Sequence, residues 1–213
     1  LESNDIVPIA ENPEPRLPVS FTGLDDVAVE IADTSRILAL DGTGSLASIV
    51  FGLGFGPSVV GRDLTTGFDS AKDLPLVMNG HSLNAEAILE LNPTLILTDY
   101  SVGPYDVQLQ MRNSGIPIVF FEPAENLDEI PRLISDVATA LGVPELGELY
   151  VDDFDRRLAD TLARIEAVVP EREEDFAADQ VELFFDLAFV FAFSQLVGLL
   201  IDDPSWSGVG ERL

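Results

Sequence analysis

Gly80-His81-Ser82-Leu83-Asn84-Ala85-Glu86-Ala87-Ile88-Leu89-Glu90-Leu91-Asn92-Pro93-Thr94-Leu95-Ile96-Leu97-Thr98-Asp99 carries a loop, a helix and a strand in one uninterrupted run. Asn84 is a strong N-cap, because its side-chain oxygen accepts from the free N–H groups of a first turn, and Glu86 adds negative charge there. Asn92-Pro93 stops the helix after Leu91, since the residue before a proline is pushed out of the helical region. Thr94 to Thr98 is a short apolar run edged by β-branched residues, which reads as a buried strand. A helix feeding straight into such a strand is half of a βα unit, the building block of a parallel sheet covered on both faces.

The pattern continues outward in both directions. Upstream, Ile37-Leu38-Ala39-Leu40 predicts the first strand, and Gly42 to Gly44 predict a turn. Ser45 is the expected cap of a helix over Leu46 to Leu53, and Ser58-Val59-Val60-Gly61 is the expected second strand. Downstream, Tyr105 to Asn113 reads as a helix closed by Gly115, Ile116 to Phe121 as the fourth strand, and Leu127 to Leu141 as a helix stopped by Gly142 and Pro144. Residues 34–143 are therefore expected to form an α/β lobe on a four-stranded parallel sheet.

Residues 144–170 read as one long helix, with Leu149, Phe154, Leu158, Leu162, Ile165 and Val169 near helical spacing. At the usual rise it is about 39 Å long, enough to cross a molecule. Residues 1–33 hold four prolines before residue 19 and read as a tether that adds an edge strand. Nothing in this stretch has the basic-then-apolar form of a signal peptide. Residues 171–213 read as an apolar helix and tail, with Val181 to Ile201 long enough to span a bilayer. A membrane span and a buried core helix both fit that length, and the density of Phe184, Phe185, Phe189, Phe191 and Phe193 favours lipid or another helix as its partner.

Thirty-eight acidic residues against eleven basic ones, with Lys72 the sole lysine, give a formal charge of -27. Such a body is repelled by phosphate backbones, which excludes nucleic acid as a partner. The absence of cysteine removes disulfides, zinc-thiolate sites and thiol catalysis. His81 is the single histidine beside only two methionines, so any transition-metal chemistry must pass through it. Its loop runs to the carboxyl edge of the sheet, where ligands of open α/β sheets bind, and the nearby helix N-terminus keeps the imidazole neutral. A hydrogen-bonded loop histidine is the plainer reading of the same position. No Ser-His-Asp set or paired carboxylates stand out among so many acids.

A second motif competes. Gly42-Thr43-Gly44-Ser45-Leu46-Ala47 has the G-x-G-x-x-A form of a dinucleotide fingerprint, with Asp63 about 20 residues on, where a ribose-binding acid sits. Glycines are equally required wherever a strand turns tightly into a helix, and Arg62 beside Asp63 blurs the match.

The Gly80 to Asp99 run, Ser101-Val102-Gly103-Pro104, Gly115 to Phe121, Arg36 to Asp41 and Val59-Val60-Gly61-Arg62-Asp63 together resemble the haem substrate-binding proteins of bacterial ABC uptake systems. The resemblance covers residues 36 to about 169. It implies a periplasmic-binding-protein fold of the helical-backbone class (class III), in which two α/β lobes joined by one rigid helix hold haem in their cleft. This chain then supplies the first lobe, the helix from Pro144 is the inter-lobe backbone, and the turn at 42 to 44 lines the cleft. His81 becomes an axial iron ligand, with Arg62 as partner of an anionic propionate. Family members add a tyrosine ligand from the lobe beyond the helix, and Tyr100 and Tyr105, near the carboxyl edge of the third strand, are candidates to replace it. The resemblance further implies haem as transported ligand, no catalytic cofactor, a cognate ABC permease, an extracytoplasmic location (cell-surface or periplasmic) and no enzymatic activity.

Beyond Val169 the pattern departs from that family. Val181-Glu182-Leu183-Phe184-Phe185-Asp186-Leu187-Ala188-Phe189-Val190-Phe191-Ala192-Phe193, with Pro204-Ser205-Trp206, resembles the opening membrane helix of the low temperature requirement A family. The expectation is a first lobe and backbone helix joined, by fusion, truncation or an error of gene assembly, to the start of a membrane protein. Two rival readings stand beside it: an oxidoreductase-like dinucleotide binder using Gly42, Gly44 and Asp63, and a membrane-associated fragment without ligand activity.

Overall fold

Alternation within three short apolar strands organises the lobe. The structure is a computed structural model and describes residues 5–79 and 82–168. β1 (Val19–Thr22) and β2 (Ala28–Ile31) form an antiparallel hairpin, followed by β3 (Ile37–Leu40) and α1 (Ser45–Gly52). β4 (Met78–Asn79) and β5 (Ser82–Leu83) pair antiparallel, and α2 (Ala85–Glu90), β6 (Leu95–Thr98), α3 (Tyr105–Asn113) and β7 (Ile118–Phe120) follow. α4 (Ile130–Ala140) and α5 (Pro144–Val168) complete the order.

β6 lies between β3 and β7, all parallel, with Ile37 opposite Leu95 and Thr98 opposite Phe120. Ile37, Ala39, Leu95, Leu97 and Val119 share one buried cluster with Val50 of α1 and Ile134 and Val137 of α4. Leu38, Leu40, Ile96, Ile118 and Phe120 share the other with Ile88 of α2 and Met111 of α3. Because successive side chains point to opposite faces, nearly unbroken apolar strands fill both layers at once.

Several local expectations change in three dimensions. The expected second strand over Ser58 to Gly61 shrinks to a single bridge, Val59 with Ile37, in which Val60 N–H donates to Ile37 O at 3.0 Å. The chain turns away at Gly61, where a Cβ would lie 2.7 Å from Leu91 and 3.0 Å from Leu38 and Val77, and Arg62 pairs instead with Leu76. Among the described residues the parallel sheet therefore has three strands rather than four.

The amino-terminal segment is strapped to the lobe. Ile9 N–H donates to Gly52 O at 2.7 Å, Arg16 N–H to Gly142 O at 2.9 Å and Leu24 N–H to Phe120 O at 2.7 Å. The strap runs so close to Gly54, which has φ +91°, that a Cβ there would lie 2.1 Å from Ala10 O. The hairpin of this segment forms its own sheet and does not extend the parallel one.

α5 has 25 residues and buries the side bearing Leu146, Gly147, Tyr150 and Phe154, leaving Leu149, Leu162 and Ile165 exposed. Among the described residues no helix is long and apolar enough to cross a membrane. The apolar segment 181–201, together with Gly80 and His81, lies outside the described residues.

Leu97 is fully buried in the central strand. Leu97→Ala is expected to cost about 3 kcal/mol through lost apolar burial and the cavity left behind, read as a lower urea midpoint at unchanged slope. Leu89→Ala, on the exposed side of α2, is expected to stay within about 0.5 kcal/mol of wild type.

Candidate functional site

Three of the loops that leave the carboxyl edge of the sheet begin on or hold a buried aspartate: Asp41 after β3, Asp63 in the loop beyond the Val59 bridge, and Asp99 after β6. The Asp41 carboxylate accepts from the N–H groups of Thr43 (3.2 Å), Gly44 and Leu46 (2.9 Å). Asp63 is fully buried and accepts from Asp41 N–H at 2.9 Å, from Thr65 N–H and Oγ1 at 3.0 and 2.8 Å, and from Thr66 N–H and Oγ1 at 2.8 and 2.7 Å. Asp99 accepts from Ser101 N–H at 2.8 Å and from Ser101 Oγ, which in turn accepts from Gly42 N–H at 2.6 Å. Burial pushes the Asp41 carboxyl up, the N–H groups of Leu46 and Gly44 oppose the shift, and the nearby Asp63 and Asp99 carboxylates add to it.

This network overturns two readings of the 42 to 47 stretch. Ser45 is not the cap of α1: Gly44, left-handed at φ 78°, occupies that position, and Asp41 reaches across to satisfy the first turn. A carboxylate at a helix N-terminus combines hydrogen bonding with the helix dipole, so it outcompetes the serine. The dinucleotide reading loses its parts one by one. Asp41 occupies N–H groups a pyrophosphate needs, and Asp63 is fully buried on five donors of its own loops, out of reach of a ribose. Gly44 is required because a Cβ there would stand 3.0 Å from Thr65 O, and one on Gly42 would stand 3.0 Å from Ser101 Oγ.

His81 lies outside the described residues, but its flanks do not. Asn79 pairs with Ser82, Ser82 bridges to Gly103, and Leu83 N–H donates to Gly103 O at 2.7 Å. Asn84 caps α2 as its sequence predicts, accepting from Glu86 N–H at 3.1 Å and Ala87 N–H at 3.2 Å. Asn84 N–H also donates to Val77 O at 2.9 Å, and Val77 N–H to Arg62 O at 3.0 Å. The chain on either side of His81 is thus tied by main-chain bonds to the loop of Arg62 and to that of Tyr100 and Tyr105.

Arg62 is half-buried. Its Nη1 donates to Asp63 O at 3.2 Å, its Nε is buried with no hydrogen-bond partner, and it has no acidic partner among the described residues. A guanidinium so held retains donors for an anion. Tyr100 and Tyr105 come together, their ring centroids 5.6 Å apart at 61°, and both are exposed. Desolvation by the packed neighbours, reinforced by Tyr105 and Asp25, pushes the Tyr100 phenol up.

Phe120 and Arg112 complete this corner and escaped the sequence reading. Phe120 stacks on Tyr100 at 5.0 Å, and the Arg112 guanidinium, 2.6 Å from Asp25, sits 5.0 Å from the Phe120 ring centre. The aspartates did carry a signal: Asp41 and Asp99 each follow the last residue of a strand and have a hydroxyl residue, Thr43 or Ser101, two positions on, the pattern of a side chain folding back on its own loop. A separate groove of about 510 Å³ runs between the start of α1, the loop at Ala124 to Leu127, α4 and the Tyr150 and Phe154 side of α5.

The profile of the family described as periplasmic binding protein matches residues 42–173. The solved heme binding protein HmuT superposes with a TM-score of 0.76 at 37% identity, covering 79% of this chain and 55% of that one. The periplasmic heme-binding protein RhuT from Roseiflexus sp. RS-1, in apo form, gives a TM-score of 0.54 at 35% identity over 60% of this chain and 49% of its own. Among curated proteins, the vitamin B12-binding protein of Pectobacterium atrosepticum is 29% identical over 141 residues, 66% of this chain and 50% of its own length. The chain spans about half the length of the curated relatives it matches.

Removing the Asp63 carboxylate strands the buried donors of Thr66 and the Asp41 N–H, so Asp63→Ala is expected to cost about 3 to 5 kcal/mol in urea unfolding. Saturating NAD or NADP is expected to leave the wild-type melting temperature unchanged. For Asp41 the folded pKa is raised, so its contribution to stability is fully present below the ordinary value of 3.8 and is lost as pH rises through the raised value. The stability difference between wild type and Asp41→Asn, from urea unfolding at about pH 4 and about pH 7, is therefore expected to move in favour of wild type at the lower pH. A difference constant across that range contradicts the assignment.

Proposed function

The chain belongs to the periplasmic binding protein family, and from this membership we propose that it captures haem outside the cytoplasm for an ABC-type uptake system. The observation that carries the reading is the likeness to the heme binding protein HmuT, at 37% identity over 79% of this chain. Proteins of this family and its neighbours are substrate-binding transport proteins rather than enzymes. In the proposed complex His81 donates a neutral imidazole nitrogen to the haem iron, and Arg62 pairs with a propionate. The guanidinium of Arg62 keeps a buried Nε without a partner, and the Arg62 main-chain oxygen accepts from Val77 N–H, whose own oxygen accepts from Asn84 N–H at the end of the strand beyond His81; both support that pairing. α5 then serves as the rigid connector of a helical-backbone binding protein, and a cognate permease receives the loaded protein.

Haem titration with the Soret band recorded in wild type, His81→Ala and Arg62→Ala tests the proposal. His81→Ala is expected to weaken haem at least about tenfold and to change the position of the band, because an iron ligand is worth more than one neutral contact. Arg62→Ala is expected to weaken haem about fivefold without moving the band, as suits one half-exposed ion pair. Identical spectra and affinities in wild type and His81→Ala would sink the axial role. The vitamin B12-binding relatives favour a second reading, a corrinoid ligand. Tight binding of cyanocobalamin that excludes haem would replace the first reading with this one.

A further inference from the structure

We propose that Tyr100 and Tyr105 form a preorganised aromatic platform on which the flat face of a planar tetrapyrrole stacks, independently of its iron. The proposal rests on the haem reading above and assigns to the two tyrosines a contact with the macrocycle in place of iron ligation.

Four observations carry it. Phe120 is 1% exposed and already closes the core at the end of β7, so the two tyrosines lie over a finished surface. Tyr100 lays one face on Phe120, at 5.0 Å and 22°, and is nevertheless 51% exposed, so its outer face is open. Tyr105, 43% exposed, meets Tyr100 at 61° and Phe120 at 57° with centroids 6.0 Å apart, an edge contact that fixes its ring beside the open face. The Arg112 guanidinium is 5.0 Å from the Phe120 ring centre and is held there by Asp25, which anchors the stack from behind.

The loop bearing Tyr100 is fixed before any ligand arrives. The buried Gln108 side chain donates to Asp99 O at 3.1 Å and Val102 O at 2.6 Å, and Ser101 is clamped between Asp99 and Gly42 N–H. Leu83 N–H donates to Gly103 O at 2.7 Å, so the platform shares one hydrogen-bonded frame with the strands flanking His81 and, through Val77, with Arg62. Exposed rings that lose no freedom on binding are efficient stacking surfaces. A ligand with a flat π-face and an anionic edge satisfies both the rings and the guanidinium. A puckered corrin, crowded with saturated carbons, does not lie flat on them.

Iron-free protoporphyrin IX, followed by its fluorescence, separates the platform from the iron ligand. Wild type and His81→Ala are expected to bind it with affinities within about twofold of each other. The double variant Tyr100→Phe with Tyr105→Phe is expected to match wild type, and Tyr100→Ala with Tyr105→Ala to bind at least about tenfold more weakly. Tyr105→Ala alone, which leaves the Tyr100 and Phe120 stack in place, is expected to weaken binding about threefold and carries the test should the double alanine variant lose its fold. Phenylalanine variants as weak as the alanine ones would overturn the platform in favour of contacts through the phenol oxygen, and unaffected alanine variants would overturn it outright. Wild type that binds neither haem nor protoporphyrin would instead bring down the haem reading itself.

Discussion

Asp63 reaches back from its loop to accept the main-chain N–H of Asp41, and the geometry of the carboxyl edge depends on that bond. It fixes where β3 ends, and therefore where Asp41 can turn to cap α1. Thr65 closes the same circuit by donating to Asp41 O at 3.0 Å. Two loops separated by 22 positions are thereby made into one body. Burying a carboxylate is costly in a chain with a formal charge of -27, and the cost is offset because the Asp63 carboxylate accepts from five donors, four of them on one oxygen. The edge is rigid because its acids point inward. A ligand arriving there meets the groups left over, Arg62 and the aromatic corner.

The same arrangement makes the anion pairing proposed for Arg62 compatible with a strongly acidic protein. Net charge acts at long range and is screened within about 8 Å at physiological salt. At contact distance the relevant charges are few, and the acids of this edge are engaged with their own loops while a guanidinium has donors to spare.

What the sequence disclosed follows the range of the interaction involved. Asn84 was legible because a cap acts within three residues, and the strands because period-two burial is a local pattern. Ser45 misled because the true cap depends on the left-handed turn at Gly44 and on an aspartate four residues earlier. The second strand misled because the crowding of Gly61 by Leu38, Val77 and Leu91 involves three separate parts of the chain. The strap misled for a similar reason: its prolines read as a spacer, whereas its anchors, Gly52, Gly54 and Gly142, lie far along the sequence. His81 was singled out by scarcity and Arg62 by its neighbours, while Phe120 was hidden as one more apolar strand residue.

The strap also has a consequence in time. Arg16 is joined to Glu145 at 2.6 Å and to Gly142 through its main chain, and its salt-bridge partner is synthesised 129 residues later. At ordinary translation speeds Arg16 waits roughly ten seconds for Glu145 to exist. The stretch around Arg16 therefore docks later than the stretch around Ile9 and Ala10, whose anchors at Gly52 and Gly54 are made far earlier.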